Sequence, residues 1–172
     1  LFDWVVGQVT GKLRELDLLE NTLLIITSDN GALVGDRFPD ADGKSAWYDY
    51  GHKTNMDWRG YKSHVWEGGL RVPLICHWPA RLAAGSKSDE MVCLTDLYAT
   101  LAVMQETARS WQGGEDSFPI RSIAGEEACE GLTVRDHFVG HSHFNGYILF
   151  KDGWKYIHEI QEKEKKQDKK II

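Results

Sequence analysis

Four consecutive apolar residues, Leu23-Leu24-Ile25-Ile26, constrain this chain more than any other stretch. Asn21 precedes the run, and Asp29-Asn30-Gly31 closes it with turn chemistry. A short apolar run with β-branched members reads as a strand buried on both faces, as in a parallel sheet. Ahead of it, Val6, Val9, Leu13 and Leu16 recur at helical spacing, which predicts an amphipathic helix from about Phe2 to Leu18. Helix, short turn, buried strand and polar turn make one α/β repeat. A second buried strand is expected at Val72-Pro73-Leu74-Ile75-Cys76, with Pro73 near its start, where a missing N–H is tolerated.

From Gly31 to Gly60 the periodicity disappears, and Trp47, Tyr48, Tyr50 and Trp58 are interleaved with polar residues and glycines. Loops this long inside domains are usually functional or disordered, and the aromatics favour function. Thr95 is placed to cap a helix that carries Leu97, Leu101 and Met104 on one face. Beyond Gln105, Gly113-Gly114, Pro119 and Gly125 punctuate a region without period, a domain border near residue 125. Short apolar runs follow near Phe138-Val139, Tyr147 to Phe150 and Trp154 to Ile157. Asp152-Gly153 between the last two is a strong hairpin signal, so a small antiparallel sheet is expected. Glu162 to Lys170 reads as a solvated helix end or tail. The expected division is 1–125 and 126–172.

Composition narrows the function classes. Acids outnumber bases 26 to 20, a net charge of -6, which gives no basic footprint for nucleic acid. No apolar run reaches the roughly 18 residues of a spanning helix. Cys76, Cys93 and Cys129 form no CxxC pair, so no zinc knuckle or disulfide framework is visible. The chain opens at Leu1 inside a periodic helix, so it is expected to be part of a longer protein.

Two clusters carry chemistry. Asp29 and Asn30 lie at the carboxyl end of the first apolar strand, the edge where open α/β sheets bind ligands. A carboxylate beside an amide oxygen supplies hard ligands for Ca²⁺ or Mg²⁺; the plainer alternative is an Asx turn. The second cluster, Arg59 to Pro73, holds Lys62, His64, Glu67 and Arg71 around Gly68-Gly69. It suits an oxyanion, with Lys62 as a point charge and Arg59 or Arg71 as a fork. The alternative is a surface loop with a Glu67–Arg71 ion pair.

Taken in order, Thr-Ser-Asp-Asn-Gly, Arg-Gly-x-Lys-x-x-x-x-Glu-Gly-Gly-x-Arg-Val-Pro and Trp78-Pro79 resemble the type I sulfatases. These are the arylsulfatase family of the alkaline-phosphatase superfamily. Leu94 to Leu101, Gly114-Glu115-Asp116-Ser117 and Lys151 to Tyr156 extend the resemblance over most of the chain. It implies part of an alkaline-phosphatase-like α/β/α sandwich, residues 1–125, followed by a small C-terminal antiparallel sheet subdomain, residues 126–172. By the same resemblance Asp29 and Asn30 match two metal ligands, for Ca²⁺ first and Mg²⁺ second, and Lys62 matches the lysine on the sulfate group. Glu67 and Arg71 are expected to support structure, and Asp96 to start a helix.

The implied activity is sulfuric-ester hydrolysis, on sulfated carbohydrates or aryl sulfates. The rivals are a phosphodiesterase or phosphonate hydrolase of the same superfamily, and a non-catalytic binding remnant. The family's formylglycine nucleophile, made from Cys or Ser in Cys/Ser-x-Pro-x-Arg, is expected to be absent from residues 1–172 and to lie in a missing N-terminal half of the same enzyme. Cys76-His77-Trp78-Pro79-Ala80-Arg81 has one residue too many for that pattern. Family analogy implies a periplasmic, secreted or lysosomal location. His52, His64, Trp47 and Trp58 are candidate substrate contacts, the tryptophans because aromatic faces suit pyranose rings. His141 and His143 share one strand face at zinc-compatible spacing but lack an evident third ligand.

Overall fold

The computed structural model describes residues 1–33, 49–105, 116–142 and 146–158. It forms two compact units, one of residues 1–27 and 73–134 and the other of 28–72 and 135–172.

In the first unit α1 spans Phe2–Glu15, ending before the expected Leu18. No residue of α1 is buried, and Val9 and Leu16 of its apolar stripe are exposed. A short 3₁₀ turn, Leu19–Asn21, leads into β1, Leu24–Thr27. β2, Leu74–His77, pairs with it from Leu24↔His77 to Thr27↔Leu74. This pairing is antiparallel, which corrects the parallel arrangement expected from the two apolar runs. The reason lies in the connection: the chain leaves at Thr27 and re-enters opposite it at Leu74, whereas a parallel partner requires a crossover to the other end. Burial is corrected too. β1 is half-buried throughout, and Ile75 and His77 of β2 face solvent, because each strand has one neighbour among the described residues.

α3, Asp96–Met104, carries the small core of this unit. The expected Leu97–Leu101–Met104 face is not the covered one: Asp96, Ala99, Thr100 and Val103 are buried, and Leu101 is exposed. The helix is apolar nearly all round, so periodicity did not choose its inner face; polar pairing did. Asp96, 1% exposed, accepts the N–H groups of Cys93 (2.8 Å) and Phe118 (3.0 Å). Thr100 Oγ1 donates to the Asp96 carbonyl and accepts the Ile120 N–H at 3.0 Å. Thr95 does not cap the helix with its side chain; its hydroxyl donates to the Asp116 carbonyl at 2.8 Å. Asp96 is thus the residue that secures the helix start. α4, Arg121–Ala124, follows, and Ile120, Ile123 and Cys129 are buried, as are Ala99 and Val103.

In the second unit α2 is the single turn Glu67–Leu70, next to fully buried Val65. The three-stranded sheet is antiparallel as expected: β3 His137–Ser142, β4 Gly146–Lys151 and β5 Trp154–His158, in that order. Asp152 (φ 52) and Gly153 (φ 78) make the two-residue hairpin between Lys151 and its partner Trp154. Positive φ at both positions matches the strand twist, which is why Asp-Gly serves here.

Candidate functional site

The residues expected to carry chemistry lie between β1 and β2, all in the second unit. Asp29 is exposed and Asn30 half-buried at the end of β1. Ser28 Oγ donates to the Asn30 carbonyl at 2.9 Å, and Asn30 Nδ2 donates to the Gly31 carbonyl at 3.0 Å. With its amide nitrogen so engaged, Asn30 Oδ1 is the atom a cation would take. A carboxylate and an amide oxygen side by side fit a hard divalent ion as two of its ligands. Among the described residues no group of three His, Cys, Asp or Glu is placed to hold a metal.

The turn after Asn30 is held by backbone against backbone. Gly31 N–H donates to the Gly69 carbonyl (2.9 Å), and Gly68 N–H donates to the Arg59 carbonyl (2.9 Å). A Cβ on Gly31 would overlap the Gly68 carbonyl, one on Gly68 the Gly60 carbonyl, and one on Gly69 the His64 carbonyl. These glycines are required for close approach. Gly60, at φ +86, also needs its conformation.

Lys62 is brought beside this turn. Its N–H donates to the Ala32 carbonyl at 2.9 Å, and its side chain is exposed. The next residue, Ser63, takes φ 75, and the His64 N–H closes the turn on the Tyr61 carbonyl at 2.9 Å. A non-glycine residue in that region is a local strain, here immediately next to Lys62.

Asn55 is a structural link beside the candidate site that sequence reasoning missed. Its Oδ1 accepts the Ala32 N–H (3.1 Å), and its Nδ2 donates to the carbonyls of Gly60 (3.1 Å) and Ala32 (3.4 Å). One side-chain amide therefore ties the Asp29–Asn30 segment to the loop leading to Lys62. No motif marks it, because Asn in an aperiodic loop is ordinary composition.

The arginines do not form an open fork. The Arg59 guanidinium lies 3.6 Å from the Trp66 ring centroid, and that of Arg71 lies 4.9 Å from Trp58. Stacking on a ring uses the face of each guanidinium and holds it in place. Arg71 also pairs with Glu67 at 3.5 Å, as the structural alternative expected. Trp58 is 41% exposed, with Arg71 against it. His64 packs edge-on to Tyr61 at 4.0 Å, and His52 is exposed. Trp47 and His143 lie outside the described residues. His141 stands on β3, tilted against Tyr147 at 6.2 Å.

Two of the cysteines offer no activated thiol. Burial pushes the thiols of Cys76 and Cys129 up from their ordinary value, which disfavours the thiolate. The expectation that residues 1–172 lack the precursor letters needs correction: Ser117-Phe118-Pro119-Ile120-Arg121 spells Ser-x-Pro-x-Arg. That segment is engaged structurally. Ser117 Oγ donates to the Thr95 carbonyl at 2.7 Å, and the amides of Phe118, Ile120 and Arg121 go to Asp96, Thr100 and Glu90.

Comparison with known proteins follows the same residues. The family model described as Sulfatase matches residues 2–105. N-acetylgalactosamine-6-O-sulfatase of Bacteroides thetaiotaomicron is 30% identical over 156 residues, covering 90% of this chain and 29% of that protein. Steryl-sulfatase of Rattus norvegicus is 37% identical over 100 residues, 58% of this chain and 16% of that protein. A solved Bacteroides thetaiotaomicron structure, from work on the metabolism of multiple glycosaminoglycans, superposes with a TM-score of 0.72 at 28% identity. That match covers 91% of this chain and 31% of the other. The chain thus spans less than a third of the length of each of these proteins.

Proposed function

The chain belongs to the sulfatase family, and on that premise we propose that it supplies the cation-binding and sulfate-binding residues of a sulfuric-ester hydrolase. Asp29 and Asn30 hold Ca²⁺, with Mg²⁺ the second choice, and Lys62 binds the sulfate group. The observation that carries this reading is the bond from Lys62 N–H to the Ala32 carbonyl. It sets the lysine turn against the segment that follows both oxygen ligands.

The chemistry follows from charge. Cleaving a sulfate ester builds negative charge on the sulfuryl oxygens and on the leaving oxygen. A bound divalent cation supplies a fixed positive charge to those oxygens. Lys62 donates hydrogen bonds to a sulfuryl oxygen from a backbone turn already fixed by Ala32, so little reorganisation is needed as charge develops. The nucleophile is expected from another part of the complete protein. Ser117 is not assigned that role, since its hydroxyl and the amides after it are spent on packing around α3.

Sulfated carbohydrate is the preferred substrate class, with aryl sulfate second. A relative named N-acetylgalactosamine-6-O-sulfatase supports the first, and Trp58, which carries Arg71 over its ring, is still 41% exposed and adds an aromatic surface. His52 and His64 stand as further substrate contacts, and Trp47 in the same loop as another. Residues 126–172, which include the whole three-stranded sheet, form the C-terminal subdomain of this reading, and 1–125 the catalytic α/β portion. Among the described residues no helix is long and apolar enough to cross a membrane; family analogy assigns a periplasmic, secreted or lysosomal setting.

The test is kinetic and uses the complete protein on an aryl sulfate and an aryl phosphodiester. Lys62→Met is expected to lower kcat/KM for the sulfate about 10²–10³-fold, the usual loss for one preorganised donor. A dominant phosphodiesterase rate, or full sulfatase activity in the variant, would overturn the reading.

A further inference from the structure

One half-buried charge in the second unit has no part in the chemistry above. On β5 the exposed residues are Trp154, Tyr156 and His158, while Lys155 and Ile157 lie on the more covered side. An ammonium inside and aromatics outside inverts the usual order of a half-covered strand. The Lys155 side chain is 18% exposed, and its Nζ donates to Glu67 Oε1 at 2.6 Å. A half-covered ammonium gains from a counter-charge held at hydrogen-bond distance, and the short part-buried bond gives the pair the character of a fixed contact. Arg71 takes the other Glu67 oxygen at 3.5 Å.

Glu67 opens α2, and the two residues after it are Gly68 and Gly69. Their backbone accepts the Gly31 N–H and donates to the Arg59 carbonyl. Gly31 directly follows Asp29-Asn30, and Ala32 after it holds the Lys62 turn. A hydrogen-bonded path therefore runs from the C-terminal sheet to both functional turns, crossing 88 residues of sequence in one step.

We propose that Lys155 is a positioning residue: through Glu67 it fixes the Gly68–Gly69 support on which the Asp29–Asn30 turn and the Lys62 turn rest. Its catalytic consequence rests on the sulfatase reading; its positional effect does not.

Amide hydrogen exchange on the full chain tests this, with Lys155→Met, Lys155→Arg, Glu67→Gln and the double variant Lys155→Met/Glu67→Gln. Lys155→Met is expected to speed exchange at Gly31, Lys62 and Gly68 about tenfold or more, with the β3–β4 ladder unchanged, because local opening is read amide by amide. Lys155→Arg restores protection, Glu67→Gln reproduces the loss, and the double variant loses no more than either single one. Should Lys155→Met fail to fold, the isosteric Glu67→Gln carries the same measurement. Unchanged exchange at those amides, or an equal loss across β3 and β4, overturns the proposal. In the complete protein Lys155→Met is expected to lower aryl-sulfate turnover and Ca²⁺ affinity together. If exchange rises as stated and both stay normal, the sulfatase reading of the site fails while the positional role stands.

Discussion

Gly31 is the residue on which the candidate site is most exposed to single changes. Its φ is not in the left-handed region, so its requirement is space: a methyl group would meet the Gly68 carbonyl. The atoms it would meet are all backbone, of Gly68 and Gly69, so no flexible side chain is there to yield. Gly31→Ala is therefore expected to destabilise the second unit by about 1–3 kcal/mol, the ordinary range for overpacking, and to weaken cation binding. Chemical denaturation and calorimetric Ca²⁺ titration check both effects; an alanine variant of native stability would remove the close-packing argument. Ser117 gives a contrasting case. Its letters fit a formylglycine precursor, but its hydroxyl is bonded to the Thr95 carbonyl. Intact mass is expected to show an unmodified serine, and Ser117→Ala to cost about 1 kcal/mol for one hydrogen bond. Loss of two hydrogens at Ser117 would reverse that assignment.

At the scale of elements, α4 depends on a carboxylate that is distant in sequence. Glu90 Oε1 accepts the Arg121 N–H (3.0 Å), and Oε2 accepts the Ser122 N–H (2.9 Å) and the Ser88 hydroxyl (3.1 Å). A four-residue helix has no intrahelical partners for these donors, so the side chain replaces them and meets the positive end of the helix. Burial pushes the Glu90 carboxyl upward, but hydrogen bonds from Ser122, Ser88 and Arg121 outweigh it, and the net shift is downward. A native pKa below the unfolded one means the contribution is complete above the ordinary glutamate range. It is lost as pH falls through the lowered native value. Melting curves of the first unit should therefore decline on acidification in that window, and Glu90→Gln should flatten the decline. An unchanged pH profile in the variant would show that other carboxylates govern it. α1 stands at the opposite extreme: Phe2, Trp4, Val5 and Val9 are exposed, so little of its apolar stripe contributes to this fold as described.

For the molecule as a whole, the proposed role predicts an incomplete catalyst. A hard cation takes about six to eight oxygens, and Asp29 with Asn30 supplies two or three of them. The covalent step that divides sulfate-ester cleavage into easier stages needs a nucleophile that Lys62 does not replace. The 172 residues expressed alone are expected to show weak Ca²⁺ affinity and no aryl-sulfate turnover. Calorimetry and a chromogenic sulfate assay check this, and micromolar Ca²⁺ binding with measurable turnover would contradict it.

Sequence alone determined what depends on local chemistry and on order along the chain. Asp152-Gly153 specified a hairpin because its two positive φ values are a property of those residues. The series from Thr27-Ser28-Asp29-Asn30-Gly31 to Lys155 identified the family because spaced letters survive without coordinates. Asp96 was legible as a helix start for the same local reason. What only the tertiary structure decided depends on partners distant in the chain. Apolar runs announced strands but not the antiparallel pairing of β1 with β2, since an apolar run contains no record of its neighbour's direction. The inner face of α3 was set by Asp96 and Thr100 bonding to residues 118 and 120, and an all-apolar helix has no periodicity to reveal it. Asn55 and the Lys155–Glu67 pair were invisible for the deepest reason: one amide and one ammonium acquire meaning only when folding brings carbonyls and a carboxylate to them.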